Sequence, residues 1–246
     1  MIPLLRSTRL PVPHGFSTRA GGVSEGDFAE LNLGRKVGDL PERVAENGRR
    51  FLEATGARAL ACLSQIHGGR VVEISSGRSD LEPLDEGDAS ITQAHGVALC
   101  IGAADCLPLL FHAPDTGWVG AAHAGWRGAD LRIGARTVEA LADHGARPEA
   151  MRAVLGPCIR ACCYEVSAEL ADRFEKQFGA SVVDRSHERP HLDIARASWL
   201  AVRDAGLAAE AIDDLGLCTA CDSERFFSHR RDRGHTGRML AFIRAG

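Results

Sequence analysis

Residues Gly96–Gly128 read GVALCIGAADCLPLLFHAPDTGWVGAAHAGWRG. Three apolar runs lie in this stretch: Val97 to Gly102, Leu107 to His112 and Trp118 to His123. Each has the length of a strand, and only a few residues separate one from the next. Such spacing predicts hairpins, because a parallel crossover takes a dozen or more residues.

The same pattern extends outward. Gly15 to Arg19, Ala59 to Ile66, Arg70 to Ile74, Ala89 to Thr92, Arg152 to Leu155 and Arg238 to Ile243 are further strand candidates. Helical periodicity marks four segments. Pro41 to Gly56 has Pro41 near its first turn and Asp39 available as a cap. Gly128 to His144 places Leu131, Ala135, Val138 and Leu141 on one face and stops at Gly145. Ser167 to Phe178 ends at Gly179, and Asp193 to Ala205 ends at Gly206. Gly77 to Gly87 is polar and reads as a long loop. The chain shows neither repeat nor linker, so residues 1–246 read as one mixed α+β domain rich in antiparallel sheet.

Composition narrows the class. The 246 residues are 45% hydrophobic and 25% charged, with a formal net charge of -4. This is an ordinary globular balance and gives no footprint for nucleic acid or an acidic membrane. Lys36 and Lys176 are the only lysines, so arginine supplies nearly all cations, with forks suited to bidentate anion contacts. Met1 to Gly15 carries three prolines and no apolar core of a signal peptide. The longest apolar run, Gly96 to Ala104, is far too short to span a bilayer. The expected compartment is the cytoplasm, where eight cysteines stay reduced and the question is whether they bind metal.

His67, Cys106 and His123 each sit among small residues at a strand end. One soft thiolate with two imidazoles suits zinc, and three protein ligands leave a fourth position open, as in catalytic sites. Their separations of 39 and 17 residues match no short-range metal signature. Taken singly, each is more often a hydrogen-bonded core histidine or a buried apolar thiol.

The motifs together resemble a known family. Ser64-Gln65-Ile66-His67-Gly68, Ala104-Asp105-Cys106-Leu107-Pro108 and His123-Ala124-Gly125-Trp126-Arg127-Gly128 carry the likeness. So do Gly156-Pro157-Cys158-Ile159, Cys163-Tyr164-Glu165-Val166 and the closing Arg225-Phe226-Phe227-Ser228-His229-Arg230-Arg231-Asp232. Phe16-Ser17-Thr18-Arg19 resembles the opening motif. They are similar to the YfiH-type, laccase-domain family of purine nucleoside phosphorylases, over about Phe16 to Ile243. His229 stands where the family commonly has Tyr, and Cys158 where it commonly has Ser.

The resemblance implies a largely antiparallel, β-sandwich-like core flanked by helices in α/β/β/α layers, similar to the cytotoxic necrotizing factor catalytic domain. It implies zinc on His67, Cys106 and His123. It also implies phosphorolysis of adenosine, inosine and S-methyl-5'-thioadenosine, with adenosine deaminase activity. The partners are then purine nucleosides and phosphate, with no nucleic acid and no membrane, for a monomer or homodimer.

Phosphorolysis needs an anion site, for which Arg19 and Arg127 are candidates, with Arg230 and Arg231 similar. Gln65 and His229 are candidates for contact with base or ribose. Deamination needs a metal-activated water. Asp105, beside a ligand, is a candidate to orient an imidazole or carry a proton, so His67, Asp105 and Cys106 form the expected catalytic set.

Other functions compete. Two histidines and a cysteine also suit copper, as in a polyphenol oxidase. Yet the ten histidines include no His-x-His pair, and no methionine lies beside a ligand motif. A cysteine hydrolase, such as a peptidoglycan-editing enzyme, would use Cys106 as nucleophile and His123 as base. A non-catalytic protein would use zinc only for stability. Finally, Cys218 and Cys221 form a CxxC, whose candidate partners in a structural zinc are Cys158, Cys162 and Cys163, with buried thiols as the default reading.

Overall fold

The computed structural model describes residues 2–246. The chain runs β1 (Leu4–Leu5), β2 (His14–Ser17), α1 (Pro41–Thr55), β3 (Ala59–Ser64), β4 (Val71–Glu73), β5 (Pro83–Glu86), β6 (Ala89–Thr92), β7 (Val97–Ala103), β8 (Leu107–Ala113), β9 (Trp118–Ala124), α2 (Trp126–Asp130), α3 (Ile133–Asp143), β10 (Arg152–Leu155), α4 (Ala168–Phe178), β11 (Val183–Asp184), β12 (His191–Leu192), α5 (Ile194–Asp204), β13 (Ile212–Asp214) and β14 (Met239–Arg244). Two six-stranded sheets result, in the orders β1-β2-β14-β7-β3-β5 and β13-β10-β8-β9-β6-β4. Both are mixed, with antiparallel pairs in the majority.

Side-chain alternation along the strands builds the layers. On β7, Leu99 and Ile101 face the other sheet, where they meet Leu110, Val119, Ala121 and Val154. Ala98 and Cys100, between them, face outward and pack with Leu60 and Phe242 against Val44 and Phe51 of α1. On the second sheet Leu107, Leu109 and Phe111 face away from the first and bury Ile133 and Val138 of α3 and Ile194 of α5. The result is the expected α/β/β/α sandwich.

Four local expectations are corrected. Val97–Ala103 and Leu107–Ala113 do not form a hairpin. The chain crosses from one sheet to the other between them, through Asp105 at φ 92. The hairpin is β8–β9. The stretch Gly77 to Gly87 is not all loop, since β5 pairs parallel with β3. As a polar edge strand starting at Pro83 it has no alternation to betray it. The periodic segment Gly128 to His144 is two helices, broken at Arg132, which adopts φ 56. Asp39 does not cap α1. Its carboxylate accepts from Ser24 Oγ and Asn32 Nδ2 and ties the preceding loop instead. Among the described residues no helix is long and apolar enough to cross a membrane.

Candidate metal centre and the cleft above it

Sheet register brings the three donors together. β3 and β7 run parallel, so their C-terminal ends share one rim of the sandwich. His67 follows β3, and the crossing that follows β7 delivers Cys106. β8 starts opposite the end of β9, where Pro108 pairs with His123. Ligand atoms of His67, Cys106 and His123 lie within 4.8 Å of one another. His67 Nε2 is 3.9 Å from Cys106 Sγ. A tetrahedral zinc ion would set such a nitrogen and sulfur about 3.6 Å apart, so the donor set fits the ion after a small inward adjustment. Gly125 keeps the space open. A Cβ there would stand 3.0 Å from both Cys106 Sγ and His67 Cδ2.

The residue that organises this site is Asp88, which sequence reading did not single out. Ala89 pairs with Ala122, so Asp88 falls opposite His123. The ladder continues there, with the His123 N–H donating to Asp88 O at 2.7 Å. The fully buried carboxylate accepts four hydrogen bonds. His123 Nδ1 donates at 2.8 Å, and the N–H groups of Ile66, His67 and Gly68 donate at 3.1, 3.0 and 2.7 Å. Those three amides curl around Asp88 because His67 takes φ 60. One carboxylate thus fixes the backbone of one candidate ligand and the ring of another, leaving Nε2 of His123 to face the cleft. Nothing in the string Gly87-Asp88-Ala89 distinguishes this aspartate from a turn residue.

Electrostatics match a thiolate centre. Burial would push the Cys106 thiol up, but the His123 and His67 imidazoles outweigh it and hold it below the usual range. Burial would likewise lower His123, and the charges of Cys106 and Asp88 outweigh it and hold it above the usual range. Asp88 also sits below its ordinary range. Burial would raise it, yet the bonds from His123 and the backbone prevail.

The three donors form part of the lining of a cleft of about 580 Å³, well within the size of small-molecule sites. Gln65, Asp105, Arg127, His229 and Arg230 also line it. The Arg127 guanidinium lies over the Trp126 ring at 4.5 Å and donates no hydrogen bond among the described residues. Arg230 lies over Tyr164 at 5.0 Å and donates to Glu165 O. Arg238, not anticipated from the sequence, is a half-buried cation of the lining, with Nη1 donating to Thr236 O and Gly237 O.

Other anticipated residues are engaged elsewhere. Gln65 spends its amide on both polar atoms of the Gly102 backbone, at 2.8 Å each. The Asp105 carboxylate accepts from Thr219 Oγ1 at 2.6 Å and from the Arg230 N–H at 2.7 Å, and the imidazole contact belongs to Asp88 instead. Arg19 is not brought to the cleft. It donates to Ala29 O and Ser223 O and stacks on Phe227. Arg231 is bound into its own loop through Asp232, Thr219 and Phe226.

Comparison with known proteins agrees with this architecture. Residues 13–246 match the family model described as multi-copper polyphenol oxidoreductase laccase. A protein of Deinococcus radiodurans named purine nucleoside phosphorylase is 46% identical over 246 residues, covering 98% of this chain and 92% of its own. Purine nucleoside phosphorylase YlmD of Geobacillus stearothermophilus is 37% identical, covering 93% and 88%. The crystal structure of the hypothetical protein YfiH of Bacillus licheniformis superposes with a TM-score of 0.89 at 32% identity, over 95% of this chain and 92% of that one. A family model spanning nearly the whole chain, full-length relatives and a shared fold together place the chain in the laccase-domain family, with YfiH- and YlmD-type proteins as its kin.

Proposed function

We propose that the protein is a zinc-dependent purine nucleoside phosphorylase acting on adenosine, inosine and S-methyl-5'-thioadenosine, with adenosine deaminase activity. The observation that carries this reading is the convergence of His67, Cys106 and His123 on a cleft whose lining includes Arg127, Arg230 and Arg238. The naming of full-length relatives as purine nucleoside phosphorylases supports it.

His67, Cys106 and His123 would hold the ion, which supplies a Lewis-acid centre when bound. Asp88 keeps the His123 ring in one tautomer and one orientation. In phosphorolysis a phosphate oxygen bonds to C1' of the ribose. The bond from C1' to the purine nitrogen breaks, its electron pair leaves with the base, and the base takes up a proton. Arg127 and Arg238 would offer guanidinium edges for the phosphate, as would Arg230 over Tyr164. Tyr164 and Trp126 are the aromatic surfaces of the lining that suit a purine. His229, in the lining, would hydrogen-bond the base or the ribose.

A copper polyphenol oxidase is disfavoured by the donors at hand. Among the described residues the other cluster of metal-ligating side chains is all cysteine, whereas a multicopper oxidase needs further histidine-built sites. The cysteine hydrolase has one observation in its favour, the Cys106 thiol lying 3.9 Å from the His67 imidazole, which with His123 holds it below the usual thiol range. Incubation with inosine separates the readings. The expected products are hypoxanthine and ribose 1-phosphate, formed only when phosphate is supplied. Hypoxanthine release with free ribose, at a rate indifferent to phosphate, would make the enzyme a hydrolase and end the proposal.

A further inference from the structure

Eight cysteines are present, and the centre described above uses one. Four others form a second cluster, separate from it. Cys162 and Cys163 lie in the turn after β10, and Cys218 and Cys221 lie in the turn after β13. Their sulfur atoms all fall within 4.8 Å of one another. Cys163 Sγ is 3.3 Å and Cys162 Sγ 3.5 Å from Cys221 Sγ. A tetrahedral zinc ion with four thiolates has sulfur atoms about 3.8 Å apart, close to this spacing, whereas a disulfide brings two of them to about 2.05 Å.

The geometry points to a second zinc site, made by Cys162, Cys163, Cys218 and Cys221, that clamps the two loops walling the cleft. The default reading of cysteine as a small buried hydrophobe does not account for this group. Cys100 and Cys158 fit that reading, being buried in the core. Cys162 and Cys221 are exposed, and Cys163 and Cys218 only half-buried. Apolar packing therefore gives little reason for four polarisable sulfurs to gather here. A closed set of four thiolates without an open position is the pattern of structural zinc, as three ligands is that of catalytic zinc.

The backbone is built for the clamp. Cys158 and Cys218 form a parallel bridge, with the Cys158 N–H donating to Leu217 O and the Thr219 N–H to Cys158 O. That bridge sets the two cysteine pairs face to face. Both loops then run to the cleft. Tyr164, next to Cys163, lines it. Thr219, next to Cys218, donates to Asp105 beside the ligand Cys106. An ion here would hold the Tyr164 and Thr219 loops at a fixed separation without touching substrate.

The test is the zinc content of the full chain, measured by native mass spectrometry on three proteins. Wild type is expected to carry close to two ions per chain. The doubly substituted Cys162→Ser, Cys221→Ser protein is expected to carry one, and Cys106→Ala is expected to keep one. Wild type with a single ion that is lost in Cys106→Ala would overturn the second site, as would purified protein whose cysteines here are paired as disulfides without metal. Should the serine variant fail to fold, cobalt-loaded Cys106→Ala gives the answer. Intense sulfur-to-cobalt charge-transfer bands are expected from the four thiolates, and their absence refutes the site. Neither arm depends on phosphorolysis, so loss of the proposed function leaves this inference standing.

Discussion

Replacing Cys106 with alanine is expected to remove the metal of the proposed catalytic centre together with phosphorolysis, and His67→Ala and His123→Ala are expected to do the same. Each variant is expected to lose about three orders of magnitude or more in kcat/KM, because Lewis-acid stabilisation is worth several kcal/mol and each 1.36 kcal/mol is tenfold. The three losses should not add. Residues that act as one unit each cost nearly what the whole unit costs, so the double variant Cys106→Ala, His123→Ala should be no worse than either single one. Folding is expected to survive, since these side chains stand at the rim of the sandwich and not in the apolar cluster between its sheets. Steady-state kinetics with inosine and phosphate, with circular dichroism as the control, check this. A single variant with full activity would show that its side chain is no ligand.

The second large effect falls on a residue that never touches substrate. Asp88→Asn keeps the size of the side chain but replaces one acceptor oxygen with a donor. All four partners of the carboxylate are donors: three backbone N–H groups and His123 Nδ1. Whichever way the amide turns, it faces N–H groups and leaves buried donors unmet, at a cost of about 1–3 kcal/mol each. The ring of His123 loses its anchor, and zinc affinity is expected to fall about 10–100-fold. A chelator competition assay reads the affinity, and urea unfolding reads the stability.

The pH dependence of that stability carries its own sign. The folded Asp88 carboxyl titrates below its ordinary range. Its contribution is therefore fully present above the unfolded value, about 3.9, and is lost as pH falls through the lower folded value. Asp88→Asn should lose this acid-limb component. An unchanged acid limb together with unchanged zinc affinity would mean that Asp88 does not organise the centre.

These two residues also mark what the sequence made legible. Cys106 stands in a motif whose likeness to a family names it, although spacing alone did not bind it to His67 and His123. Asp88 has no such motif. Its role follows from the register of β6 against β9, and register is a property of paired strands that one string of residues does not display. The strands themselves were readable wherever apolar residues ran uninterrupted, as in Val97–Ala103 and Leu107–Ala113. What was not readable is that these neighbours belong to different sheets, because a crossing between sheets and a hairpin use the same kinds of short connection. Arg19 and Arg238 show the same limit at the cleft. Both are arginines near strand ends, yet one is held by backbone carbonyls outside the cleft and the other lines it. The CxxC of Cys218 and Cys221 was visible, with Cys158, Cys162 and Cys163 as candidate partners, but only the fold singles out Cys162 and Cys163, 59 and 58 residues from Cys221, and leaves Cys158 in the core.

The proposed centre has three side chains remote in sequence holding one zinc ion in the lining of the cleft. Anomalous diffraction from a crystal, recorded on either side of the zinc absorption edge, addresses it without recourse to activity. An edge-dependent peak is expected within bonding distance of Nε2 of His67, Sγ of Cys106 and Nε2 of His123. A map from zinc-replete protein with no such peak among those three atoms would contradict it.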